Sequence, residues 1–172
     1  MSKTAIQFVV LFIVLTLLQV VCNKIILFGV ATPIIFIYLL LRLPVNLSKM
    51  WMFSIAFFTG LVIDIFGNTP GMNALSCTIA SALRAPVYNL FVSHDGDDAS
   101  ALPSIATLGM GNYLKYMATM VIIYCALLFF VQAFTLNDLV LTIERTCFSS
   151  LLSIFLILGI DSLVSTTREK RL

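Results

Sequence analysis

The chain is a succession of long apolar runs almost free of charge, and that pattern limits it to a membrane protein. Six segments, about 5–22, 25–41, 50–66, 74–92, 116–134 and 146–165, run 17 to 20 residues each. At about 1.5 Å of rise per residue, each is close to the length needed to cross a hydrocarbon core of about 30 Å. Only helices and closed barrels satisfy their backbone groups there. Barrel strands alternate apolar and polar residues over about ten positions, whereas these runs are continuously apolar. The expected fold is therefore all-α, a polytopic membrane protein with six transmembrane helices in one domain over residues 1–172. The first run lacks a small-residue cleavage site before Cys22, and a second run follows directly after Asn23 and Lys24. It reads as a retained span, not a signal peptide.

Composition removes several function classes. Hydrophobic residues make up 60% and charged residues 10%, against about 45–50% and 25% in a soluble domain. A net charge of +2 is too small for the basic stripe that nucleic-acid binding needs, so no nucleic acid is expected as a partner. One His leaves no His-rich metal cluster and almost no His-based nucleophile scheme. Cys22, Cys77, Cys125 and Cys147 have no CxxC spacing and fall in or beside apolar runs; they read as buried apolar side chains. No catalytic, cofactor or metal residue is expected.

Orientation follows from positive charge in the short loops. With both termini cytoplasmic, the inside carries Lys3, Arg42, Lys49, Lys115, Arg168, Lys170 and Arg171, and the outside only Lys24 and Arg145. The longest connection, 93–115, holds His94-Asp95-Gly96-Asp97-Asp98. This does not match a calcium loop, and it reads as a solvated cytoplasmic hairpin or a partner-docking loop. In TLNDLVLTIER, 135–145, Leu136, Leu139, Val140 and Ile143 share one helical face. Either a short helix lies flat in the outer headgroups, or a neighbouring span extends into this stretch.

Three ionisable residues fall within the spans: Asp64 near the outer end of the third, Arg84 near the middle of the fourth and Asp161 near the inner end of the sixth. Each asks for a partner or a cavity, since a charge at bilayer depth costs roughly 2.5–3.5 kcal/mol. Depth arithmetic puts the two carboxylates some 20 Å apart, too far for the shared-proton dyad of an intramembrane aspartyl peptidase. Arg84 is expected to pair with Asp161 or to snorkel to the cytoplasmic headgroups, helped by a kink at Pro86. Ser76/Ala80 and Ser81/Ala85 give the fourth span small residues four apart, the spacing that lets helices pack closely.

The most distinctive stretch is Gly60-Leu61-Val62-Ile63-Asp64, followed by the Pro70-Gly71-Met72-Asn73 turn and immediate re-entry. Pro70 fixes φ and Gly71 permits positive φ. Asn73 is placed to cap the fourth span by accepting from its first N–H groups. Asp64 either accepts hydrogen bonds from the same turn or contacts a partner.

This hairpin, with Arg84 beyond it, resembles the rod shape-determining MreD family, as do the size, the six spans and the cytoplasmic termini. Met72-Asn73 stands where many members carry Leu-His. The resemblance implies a non-enzymatic inner-membrane subunit of the bacterial cell-elongation machinery. Such a subunit sits beside MreC, with RodA and its penicillin-binding transpeptidase as further partners, MreB as an indirect one, and membrane lipids around it. Gly60, Asp64, Pro70, Gly71, Asn73, Arg84 and Asp161 are then structural or partner-contact residues. The architecture is also similar to the substrate-binding subunits of energy-coupling-factor vitamin transporters, which makes a small-molecule binding subunit the rival reading. Those subunits dock through an Ala-x-x-x-Ala face on the first span, which AIQFVVLFIVLTLLQVVC lacks.

Overall fold

The computed structural model describes residues 3–23, 31–44, 47–91, 103, 108–133 and 139–169. Their regular structure is helical: α1 (Lys3–Cys22), α2 (Ile37–Leu41), α3 (Lys49–Gly67), α4 (Met72–Phe91), α5 (Met110–Gln132) and α6 (Leu139–Glu169). Three helices, α3, α5 and the Leu139–Ser162 part of α6, are long and apolar enough to cross a membrane, and Phe8–Cys22 of α1 is a shorter apolar helix. The chain is accordingly a helical membrane protein.

Side-chain contacts fix how the elements run. Gln19, late in α1, bonds to Pro33 and Ile35, whereas Phe8, early in α1, shares a groove with Leu43, Leu47 and Trp51. Segment 31–44 therefore runs back along α1, and α3 starts at the end where α1 starts. Ser149 and Ser153 of α6 bond to Thr32 and Ile34, and Asp161 bonds to Tyr38. Thus α6 runs alongside 31–44 and brings Asp161 to the end of the bundle where α1 begins. The pairs α3/α4 and α4/α5 are antiparallel, joined by Asp64–Asn73 at one level and by Asn73–Tyr124 and Arg84–Tyr116 at two levels.

The second apolar run departs from expectation. A helix over 25–41 is predicted, but in its described part only Ile37–Leu41 is helical, and 31–36 is non-helical. Pro33 biases Thr32 away from the α region, and Thr32, Ile34 and Ile35 are β-branched, which weakens helix further. Hydrophobicity alone cannot distinguish a buried non-helical segment from a helix. The segment is the centre of the bundle, with Ile34 through Leu41 all buried. Around it pack Met52 and Ile63 of α3, Cys77 and Ala80 of α4, Tyr116 and Tyr124 of α5, and Ile157 of α6.

Two other expectations resolve. Residues 139–145 form the first turns of α6, so the stretch extends the last span; 135–138 lie outside the described residues. So do 93–102 and 104–107 of the long connection, and 170–172. The described cysteines are all free, with Cys77 and Cys125 buried and Cys22 half-buried, but Cys147 is exposed, contrary to the reading of all four as core residues. Helix α4 continues through Pro86.

Candidate functional site

Polar side chains inside the bundle gather in three clusters, and each holds backbone or charge that the fold would otherwise leave bare.

The first closes the α3/α4 turn. Helix α3 ends with Asn68 left-handed at φ 52°, its N–H bonded to the Asp64 carbonyl, and Gly71 follows at φ +78°. Helix α4 begins at Met72, so its cap position falls on Gly71, which has no side chain to offer. Asp64 supplies the cap from across the turn. Its Oδ1 accepts from Thr69 Oγ1 at 2.8 Å, Asn73 N at 3.0 Å and Asn73 Nδ2 at 2.9 Å, and its Oδ2 from Ala74 N at 2.9 Å. A carboxylate is favoured at a helix N-terminus, where N–H groups converge and the dipole is positive. Asp64 thus accepts from the turn as anticipated. Asn73 does not play its predicted part. It is already inside the helix, donates to Asp64, and accepts from Tyr124 Oη at 2.6 Å. Gly60 permits this geometry: a Cβ there would stand 2.5 Å from Ala74 Cα and 2.6 Å from the Asn73 carbonyl oxygen. Pro70 is exposed in the turn.

The second cluster supports the unwound segment. Thr32 N donates to Ser149 Oγ at 3.0 Å, Ile34 N to Ser153 Oγ at 2.9 Å, and Ile35 N to Gln19 Oε1 at 2.7 Å. Phe36 N reaches the same Gln19 oxygen at 3.4 Å, and Gln19 Nε2 donates to the Pro33 carbonyl at 3.0 Å. Pro33 has no N–H, so every donor from Thr32 to Phe36 is satisfied. Buried backbone outside regular structure needs partners supplied by the protein, and here three side chains of α1 and α6 provide them.

The third lies at the other end of that segment. Asp161 Oδ1 accepts from Arg42 Nη2 and from Tyr38 Oη, each at 2.6 Å, and Arg42 Nε donates to Tyr38 Oη at 2.9 Å. The Arg42 guanidinium also lies 5.4 Å from the Tyr38 ring centroid. This overturns two expectations. Arg42 is buried and is not a loop charge, and it takes the carboxylate expected to pair with Arg84. Arg84 does not snorkel either, being 4% exposed. It bonds to the Leu43 carbonyl, to the Pro44 carbonyl at 3.5 Å and to Tyr116 Oη at 3.2 Å. These carbonyls follow the C-terminus of α2, where helical partners run out and cations are favoured.

Asp64 and Asp161 share no partner and occupy separate clusters. Of the pairs of small residues, Ser76, Ala80 and Ser81 are buried, while Ala85 is exposed. Among the described residues no group of three His, Cys, Asp or Glu is placed to hold a metal ion. Sequence reasoning missed Gln19, Tyr38, Arg42, Ser149 and Ser153. Their signals were a polar residue on the buried face of an apolar helix and the i, i+4 pair Tyr38/Arg42. Neither family models, characterised proteins nor solved structures give a match to the chain.

Proposed function

We propose that the chain is a non-enzymatic scaffold subunit of the bacterial cell-elongation complex, of the MreD kind, crossing the inner membrane six times with both termini in the cytoplasm. It would act with MreC, beside RodA and its penicillin-binding transpeptidase, with MreB an indirect partner, and help set cell shape through peptidoglycan synthesis. The family reading rests on the Gly60–Asp64 and Pro70–Asn73 hairpin with Arg84 behind it.

One observation carries the scaffold character. Asp64, Asp161, Arg42 and Arg84, the buried ionisable groups a membrane enzyme or transporter would present to a substrate, are bound to protein groups of this same chain. That allocation supports a rigid bundle whose outer surfaces meet partners. Removing Arg42 from the seven inner charges leaves six against two, which still favours cytoplasmic termini. The meeting of the start of α1 with the Asp161 end of α6 agrees with both termini lying on one side.

Affinity capture on a C-terminal tag from native membranes in mild detergent tests the reading. Recovery of MreC with RodA or the transpeptidase is expected. Recovery of ATPase and transmembrane coupling subunits in their place would overturn it and favour a vitamin-binding subunit.

A further inference from the structure

Tyr113, in the first turn of α5, is 1% exposed, and its hydroxyl makes no hydrogen bond. A buried tyrosine O–H usually finds an acceptor, and a donor left without one is costly. The surroundings of this hydroxyl are polar. Helix α5 packs against α2, and Tyr116, one turn on, reaches Arg84 where Arg84 meets the Leu43 and Pro44 carbonyls. That face of α5 therefore lies beside the end of α2, next to Tyr38 and Arg42. The charges that bear on the Tyr113 hydroxyl are Asp161 and Arg42, so it points into their cluster.

The cluster has one oxygen to spare. Arg42 Nη2 and Tyr38 Oη both donate to Asp161 Oδ1, and among the described residues no donor reaches Oδ2. A donor and an acceptor are thus left over side by side, and neither can close the gap itself. Turning the carboxylate would break two bonds of 2.6 Å, and the Tyr113 hydroxyl moves only with its whole ring, inside a close-packed core. Arg42 repels a cation here and Asp161 an anion, which leaves a small neutral molecule that accepts on one side and donates on the other. Water does both, and buried waters serve the polar groups that a fold leaves unpaired.

We infer that one water molecule is bound between Tyr113 and Asp161, accepting from Tyr113 Oη and donating to Asp161 Oδ2. It joins α5 to the ion pair between Arg42 and α6, so that three elements are tied together at this end of the bundle. The site rests on these side chains alone and does not depend on the partners proposed above.

Infrared spectra of the purified full chain and of Tyr113→Phe, each in D2O and in D2O made with the heavy oxygen isotope, test the site. A buried O–D stretching band of the unmodified chain should be missing from Tyr113→Phe. It should also shift with the heavy isotope, because the oxygen of water exchanges and that of a phenol does not. Tyr113→Phe should lower the thermal midpoint, and should lose that effect when Arg42 and Asp161 are both leucine and no carboxylate remains to bridge. A missing band that is insensitive to the isotope overturns the water in favour of a direct bond from Tyr113 to Asp161. The absence of any such band, or a midpoint raised by Tyr113→Phe, overturns it as well, since the hydroxyl would then be an unpaired donor whose removal is a relief.

Discussion

Arg42 and Asp161, 119 residues apart in the chain, meet at 2.6 Å in the core of the bundle. The contact ties the end of the unwound central segment to the last helix, and Tyr38 completes it from one turn before Arg42. Each charge is tolerable only because the other is there.

That dependence sets the first prediction. Breaking a buried pair strands one charge and costs about 3–5 kcal/mol. Arg42→Leu and Asp161→Leu should each destabilise the protein by that order, while the double substitution should cost much less than the sum. Unfolding of all four proteins in the same detergent gives the coupling energy. Additive losses would mean that the two charges do not stabilise each other.

Gly60 and Gly159 make a second, paired prediction. Both lie within helices, where replacing Gly by Ala ordinarily stabilises by up to about 1 kcal/mol. At Gly159 a Cβ meets nothing within 4 Å, so Gly159→Ala should be neutral or slightly stabilising. At Gly60 the Cβ would stand 2.5 Å from backbone of α4. Gly60→Ala should force the two helices apart, weaken the Asp64 cap and lower the thermal midpoint. Equal midpoints for the two variants would contradict the close approach.

Asp64 gives the third. Asp64→Ala removes the acceptor for two backbone N–H groups of α4 and for the side chains of Thr69 and Asn73. A lost cap costs about 0.5–2 kcal/mol, and buried donors left unsatisfied add about 1–3 kcal/mol. Asp64→Asn keeps one acceptor oxygen and should lie between alanine and the original residue. Hydrogen exchange at Asn73 and Ala74 should rise in the same order; unchanged exchange in the alanine variant would show that the carboxylate is not the cap.

The hairpin was legible because its determinants are local: Gly60, Asp64, Pro70 and Gly71 lie within twelve residues, and turn chemistry connects them. Its detail was not, since the identity of the cap depends on which residue starts α4. Helices over the first, third, fourth and fifth runs followed from their apolar residues, with ends off by no more than two positions except at the start of α5, which begins six residues before its run. The second run failed because apolar length reports burial and not conformation, and its partners Gln19, Ser149 and Ser153 come from helices distant in sequence. The same distance hid the Arg42–Asp161 pair. Arg42 follows an apolar run and precedes Pro44, which is also how a loop charge at a membrane surface looks.

Gln19 provides the last prediction. It sits 2% exposed in a largely apolar stretch of α1 and holds the backbone at Pro33, Ile35 and Phe36. Leucine at this position suits hydrocarbon better, yet it leaves the Ile35 N–H and the Pro33 carbonyl without partners, at roughly 1–3 kcal/mol for each buried group. Thr16, one turn earlier and also buried, has a hydroxyl that makes no hydrogen bond, so Thr16→Val removes a buried polar atom that supports nothing. Gln19→Leu should therefore destabilise the protein and expose the Ile34–Phe36 amides to exchange, whereas Thr16→Val should be neutral or stabilising. If both substitutions stabilise alike, Gln19 is not what keeps the central segment unwound. If they diverge as expected, one polar side chain in the first helix decides the conformation of the segment around which the bundle packs.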